Sequence, residues 1–436
     1  MTFDGHATNK CALESLKEVT VFTQNADGTP GPLRTYEGPL SHTVGIRCKS
    51  HHFDLVGAKY TVAKKEFNRC KAAIAAEFSS HLNGIFSAPG SCAKTLFKVD
   101  FGLTPRHCNA VRWWAHEELD AFFLNYFRPT LEREITLADW VKKMVLTGEL
   151  NGVHIAYLFR TLVVDAEGFD ESFLCAIEIQ LAATVDFTKK IIEATYLLEA
   201  DIPMALVTYD ILHGVQQDLD LRFFTMDYPN VNKFADEFAA RRVNVPDTLL
   251  SSNEAWKDSV RVSLQLGYDY FMEDIMTDEC ISVFKAVRIC NPFFFAIQQN
   301  WQTVPSLSAS LRAFIRPLVL CRFIDNDIID SLLDELPLYK TESELHCLPN
   351  LVNPKISELV EQIRIFWNSR KKKLPHWYDF VTLCMLLQPS SASVERLFSM
   401  LKFVFGDYQH SSLNDKVVLS VQLRYNHRYD DPTLDI

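Results

Sequence analysis

The chain has 436 residues, of which 48% are hydrophobic and 31 are phenylalanine, enough for two or three domains with a sizeable aromatic core. It contains only 15 glycines, roughly half the share typical of globular proteins, and this favours a mostly helical protein. The formal net charge is −11, so the overall field opposes nucleic-acid binding, which depends on lysine and arginine.

The eleven cysteines are scattered and form no Cys-x-x-Cys pair, a pattern typical of free thiols in a reducing compartment. No apolar run approaches the ~18 residues that span a bilayer. The first residues do not resemble a signal peptide. We therefore expect a soluble, intracellular protein with no membrane partner.

The first fifty residues predict a short strand at the start, followed by a helix from Ala7 to about Val19. Asp4 lies at this junction and fits either a helix N-cap or a functional carboxylate at the edge of a sheet. Residues 23–42 are rich in turn formers and predict a loop. Residues 44–48 predict a short buried strand.

Cys48 and His51 form a single Cys-x-x-His pair. A structural zinc site takes four ligands, usually in two pairs, and no second pair lies close in the sequence. The pattern therefore favours a structural role beside the core over zinc binding.

Successive helical patterns and little strand signal run from about residue 117 to 342, after an Arg112-Trp113 pair in which a core tryptophan is the simpler interpretation. Helices are predicted over 60–84, 173–198, 205–223, 234–242, 260–276 and 307–316. Phe293 to Phe295 are expected in the core, and the acidic residues at 325–327 in a turn or helix cap. The basic run from Arg370 to Lys373 predicts a solvated helix end.

Three more helices are predicted over 374–387, 391–405 and 412–427, the first stopped by Pro389. The second begins near two capping serines and has Glu395 in its first turn. Its apolar residues recur at helical spacing and form one wide stripe: Val394, Leu397, Phe398, Leu401, Val404 and Phe405. In the third, Val417 and Val421 share one side.

The residues from Trp377 through Pro389, Glu395-Arg396 and Phe398-Ser399 closely resemble the C-terminal signature of the hAT superfamily of DNA transposases. The resemblance implies that this region closes a catalytic core and contributes to dimerisation. It also implies that Glu395 corresponds to the third acid of a metal-binding triad.

Three other segments are similar to the same family. Asp4, in an Asp-Gly-x-Ala-x-Asn segment, resembles the second catalytic aspartate. Cys48 and His51 resemble a block near that acid, and Arg112-Trp113 resembles the block where the family's helical insertion begins. In the family, a tryptophan of the insertion holds DNA near the cleavage point.

The resemblance implies a mostly α fold with a small α/β part. We expect an incomplete ribonuclease-H-like core in residues 1–115, an all-helical insertion in 116–345, and C-terminal dimerisation helices and the end of the core in 346–436. The first catalytic aspartate lies on the opening strand of that core, upstream of the segment that Asp4 matches. We expect both that strand and the family's N-terminal zinc finger to be missing.

Two-metal catalysis needs several carboxylates on divalent ions, so losing one acid is severe. Asp4 and Glu395 are therefore expected to be vestigial, with no cofactor; Mg²⁺ would be required only if an upstream acid completed the triad. Without a role in metal binding, Glu395 is interpreted as an acid in the first turn of a helix, where the helix dipole favours a negative charge. The predicted packing and dimerisation residues are Trp377, Leu397, Phe398, Leu401, Val417 and Val421, and the predicted structural residues are Cys48, His51, Arg112 and Trp113.

The leading interpretation is a catalytically inactive hAT-derived protein that retains dimerisation, as a homodimer or with related hAT proteins, with weak or absent DNA binding. Nuclear localisation follows from the resemblance alone. One alternative is a fragment of an active DDE-type transposase whose N-terminus is longer. A second is a DNA-associated regulator without catalysis.

Overall fold

The computed structural model describes residues 74–87, 92–105, 113–200, 202–225, 227–232, 265–297, 304–320, 323–347 and 355–389, and the backbone of residues 2–3, 18–24, 30–37 and 46–47. This part of the chain is mostly helical, which confirms the coarse fold class expected from composition. None of its helices is long and apolar enough to cross a membrane.

Four strands form two separate pairs. They are β1 (Thr2–Phe3), β2 (Glu18–Gln24), β3 (Pro30–Glu37) and β4 (Ile46–Arg47). β1 lies parallel to β4, and β2 lies antiparallel to β3 with Glu18 opposite Glu37. The short strands at the start and within 44–48 were predicted. The ribonuclease-H-like core stays a prediction, since these pairs alone do not define it.

Two local predictions are wrong in this region. Residues 23–42 are not one loop, because β3 occupies residues 30–37. The predicted first helix cannot reach Val19, because β2 already begins at Glu18. Val19 and Val21 are β-branched and alternate with other residues, a pattern that suits a strand.

The helices of the described residues follow in chain order. They are α1 (Ile74–Ser87), α2 (Ala93–Phe101), α3 (Trp113–Leu124), α4 (Leu137–Thr147), α5 (Val153–Leu162), α6 (Glu171–Leu198), α7 (Ala205–Asp220), α8 (Glu279–Val287), α9 (Pro292–Ala296), α10 (Val304–Leu320), α11 (Asn326–Cys347), α12 (Ile356–Arg370) and α13 (Pro375–Met385). Short π-helical turns cover Leu221–Thr225 and Phe271–Ile275, and a 3-10 turn covers Arg288–Cys290.

The predicted helices at 173–198, 205–223, 307–316 and 374–387 correspond to α6, α7 with its π turn, α10 and α13. In the predicted helix at 260–276, residues 265–270 are helical and a π turn follows. Of the helix predicted at 60–84, the described part begins at Ile74. The predictions at 234–242, 391–405 and 412–427 lie outside the described residues.

The chain divides into two compact units. The first comprises Met1–His51, Thr195–Asp210 and Glu279–Ile436, and the second comprises His52–Ala194 and Ile211–Asp278. The predicted domain limits at 115 and 345 stay predictions.

The second unit has an aromatic core. α1 packs against α2, α3 and α5, and α4 packs against α5. The ring of Trp140 lies 5.7 Å from that of Phe86 and 5.3 Å from that of Phe97, between centroids. α4 begins at a capping box formed by Thr136 and Asp139, which fixes the residue at which the helix starts.

The first unit has its core between α9, α11, α12 and α13, with α10 packing on α8 and α11. α9 begins at Asn291, whose side chain accepts from the backbone N–H of Phe293 at 3.1 Å. Phe293 and Phe295 are buried, as predicted, and Phe294 is half-buried. Helix α9 therefore anchors aromatic rings beneath α11.

Candidate interaction region in the C-terminal helices

Helices α11, α12 and α13 carry the described part of the sequence that leads into the hAT-like signature. α13 begins with Pro375, a favoured first residue because its missing N–H has no partner in the first turn. α13 packs on both α11 and α12. The described residues end at Pro389, four residues after α13.

Trp377, a predicted packing residue, is completely buried within the first unit. Its indole N–H donates to the carbonyl oxygen of Leu332 in α11 at 3.0 Å. Its backbone N–H donates to the carboxylate of Glu335 at 3.2 Å, and that of His376 donates to the same carboxylate at 3.3 Å. Glu335 thus caps the first turn of α13 from another helix, where a negative charge is favourable.

An aromatic cluster surrounds Trp377. We define it as Phe295, Tyr339, Phe366, Trp367 and Trp377. The ring of Tyr339 lies 4.4 Å from that of Trp377, 5.0 Å from that of Trp367 and 4.3 Å from that of Phe295, between centroids. Such rings contribute both buried area and favourable mutual geometry. The cluster joins α9, α11, α12 and α13.

The polar atoms of the aromatic cluster are satisfied by backbone carbonyls. The hydroxyl of Tyr339 donates to the carbonyl oxygen of Ile289 at 2.8 Å, and the indole of Trp367 donates to that of Cys290 at 2.8 Å. Burial raises the pKa of Tyr339 well above its usual value, so the phenol stays neutral and remains a donor. These bonds fix the rings in place.

A charged group lies at the end of α12. The carboxylate of Glu342 accepts from Arg370 at 3.1 Å and from Lys373 at 2.6 Å. These partners, above all Lys373, hold the pKa of Glu342 below its usual range. Lys371 and Lys372 are exposed, as predicted for a solvated helix end. The basic run is therefore partly neutralised within the chain.

Cys290 and Cys384 lie side by side in this core, with their Sγ atoms 4.0 Å apart. Both are free thiols and fully buried. Burial, and then the neighbouring Cys384, raises the pKa of Cys290 well above its usual value. None of the six cysteines within the described ranges forms a disulfide.

The remaining predicted site residues cannot be placed around Trp377. Trp113 begins helix α3 in the second unit's sequence range. The others lie outside the described residues: Asp4, Cys48, His51, Arg112, Glu395, Leu397, Phe398, Leu401, Val417 and Val421. Across the described ranges, no three His, Cys, Asp or Glu side chains form a group that could hold a metal ion.

The sequence analysis did not identify three residues of α11 that contact the two helices after it: Glu335, Tyr339 and Glu342. A signal for α11 was present, since Leu332, Leu336 and Tyr339 recur at helical spacing and are buried. Their partners lie tens of residues away in the sequence, so no local pattern identifies them.

No family model and no curated protein matches this chain. The resemblance to hAT transposases therefore rests on the sequence motifs alone.

Proposed function

We propose that this chain is a hAT-transposase-derived protein that lacks catalysis and acts by protein–protein association through its C-terminal region. The observation that carries the proposal is the dense motif from Trp377 to Ser399, with its apolar stripe at helical spacing. Such a stripe needs a partner surface, from the same chain or from a second copy.

The described helices supply support for this region. Trp377 fastens α13 to α11 through its indole, and Glu335 fixes the start of the same helix. The segment after Pro389 therefore follows a helix, α13, that the aromatic cluster holds in place. Because α13 is already ordered, association through the segment that follows it costs less conformational entropy.

The proposed lack of catalysis concerns this chain by itself and rests on the acids that the resemblance identifies within it. Only Asp4 and Glu395 match family acids, and two-metal chemistry in the family uses three. A net charge of −11 also disfavours DNA binding. We expect the purified chain with Mg²⁺ to leave duplex DNA uncut and to bind it weakly at moderate salt.

Light scattering coupled to size exclusion tests association. At micromolar concentration we expect about twice the 49.9 kDa of one chain. The double variant Leu397→Asp/Leu401→Asp should run as a monomer, because two charges interrupt the stripe. The control is Leu146→Asp, which places a charge at a leucine that is 73% exposed on α4 and should leave the mass unchanged.

A strictly monomeric wild-type chain would contradict the proposal. So would a double variant that keeps the wild-type mass while circular dichroism shows an intact fold. DNA cleavage that depends on Mg²⁺ and is lost in Glu395→Gln would instead support an active transposase.

A further inference from the structure

A pair of histidines joins two packed helices of the second unit and has no part in the proposed function. His81 lies on α1 and His154 on α5. Their Nδ1 atoms are 3.0 Å apart. Both histidines are partly exposed, so solvent reaches the pair.

Neighbouring residues hold each ring in place. Tyr157 stacks on His81, with centroids 4.0 Å apart and planes 5° from parallel. His154 lies against Gly84, where a Cβ would be between 2.6 and 2.8 Å from three atoms of the ring. A glycine is therefore required at position 84 for this ring position, because any side chain would displace the imidazole.

The charges around the pair favour a neutral imidazole at His81. Burial lowers the pKa of His81, and His154 and Arg160 lower it further, against the opposite influence of Glu77. Two nitrogens this close can share only one proton between them. A carboxylate oxygen of Glu77 lies 4.0 Å from Nε2 of His81, on the side of the ring away from His154.

We propose that His81 and His154 bind a first-row transition-metal dication such as Zn²⁺ between their Nδ1 atoms, with water in the remaining positions. Zinc bound by imidazole at about 2.0–2.1 Å in tetrahedral geometry keeps two nitrogens roughly 3.3–3.4 Å apart. The rings need only separate by a few tenths of an ångström. The metal takes the place of the shared proton, and the ring that donated this proton carries it on Nε2 instead, after exchange with solvent, so both bound imidazoles are neutral.

Glu77 lies near Nε2 of His81, the ring nitrogen that would not bind the metal. A metal-bound imidazole usually donates its other N–H to a carboxylate, which fixes the ring and raises its basicity. Glu77 stands on that side of His81. The positive charge of Arg160 opposes a dication here, and the carboxylate of Glu77 offsets it.

This site differs from the catalytic metal site of the transposase family. It uses two imidazoles from α1 and α5 and no carboxylate ligand. The expectation of no metal in this chain was argued from the catalytic acids alone, and the histidine pair gives a separate reason to expect one.

Calorimetric titration of the full chain with zinc chloride tests the proposal. The wild-type chain should bind one more zinc ion than His81→Gln or His154→Gln. Glu77→Gln should keep that zinc ion but weaken its binding, because the substitution removes a negative charge 4.0 Å from Nε2 of His81. The control is His376→Gln, which changes an exposed helical histidine and should match the wild type.

A thermal scan gives a second readout, because a ligand that binds only the folded state raises Tm. Zinc should raise the Tm of the wild type and of His376→Gln more than that of either pair variant. Circular dichroism without zinc establishes that each variant folds. Equal zinc stoichiometry and equal Tm shifts in the wild type and in both pair variants would overturn the assignment and leave the pair as a hydrogen bond only.

Discussion

Replacing Trp377 by phenylalanine keeps an aromatic ring in the cluster and removes the indole N–H that donates to Leu332 at 3.0 Å. Trp140 provides a matched comparison in the second unit. It is buried to the same degree, but its indole N–H has no hydrogen-bond partner among the described residues. The same substitution at both positions therefore separates the hydrogen bond from the ring.

The magnitude follows from two terms. Losing the bond at Trp377 costs about 1 kcal/mol, and the cavity left by the smaller ring costs about 1 kcal/mol more. Trp140→Phe leaves a similar cavity, but it also removes a buried donor without a partner, and this raises the free energy of unfolding by roughly 1–3 kcal/mol. Trp377→Phe should therefore destabilise its unit by about 2 kcal/mol, while Trp140→Phe should be close to neutral or stabilising.

Urea unfolding followed by far-ultraviolet circular dichroism measures both free energies against the wild type. The dependence of the free energy on urea should be unchanged in each variant. If Trp140→Phe destabilises the protein as much as Trp377→Phe does, the hydrogen-bond argument is wrong.

Two other predictions concern pH and glycine. The pKa of Glu342 is lowered in the folded state from an ordinary value of 4.5, so its contribution to stability is present above that value and is lost as the pH falls through the folded pKa. Glu342→Gln should flatten the acid side of the stability–pH curve, and parallel curves would contradict this. Gly84→Ala should cost about 1–3 kcal/mol because its Cβ meets the His154 ring, less the about 1 kcal/mol that alanine gains over glycine in a helix, a net loss of up to about 2 kcal/mol. Gly214→Ala, in a helix with nothing within 4 Å of the new Cβ, should gain about 1 kcal/mol; equal effects in urea unfolding would refute the close approach.

Sequence periodicity was sufficient to predict α6 and α10 and insufficient to predict the hairpin of β2 and β3. α6 and α10 have apolar residues at helical spacing over many turns, so their existence was predictable. β3 contains Pro30 and Pro32, which argue against a strand in a central position. In a two-stranded pair each strand has an edge outside the ladder, and proline is tolerated there.

The candidate region was predictable only in part. Trp377 could be identified from its motif, and its helix from Pro375 and the apolar run. Its contacts with Leu332 and Glu335 join residues more than forty positions apart, and they depend on how α11 packs on α13. Pairing of this kind depends on tertiary geometry, and a local pattern does not contain it.

Burial of Cys290 and Cys384 in the first unit also determines when these two thiols react with electrophiles. Thiolate is the reactive form, and burial keeps Cys290 protonated and out of contact with reagents. Cys92 is exposed and open to immediate alkylation. Alkylation of Cys290 and Cys384 must wait for the first unit to open, so its rate reports the opening equilibrium when reclosing is fast. Oxidative or covalent damage at these thiols would then scale with the fraction of time that the unit is open and with the concentration of the reagent.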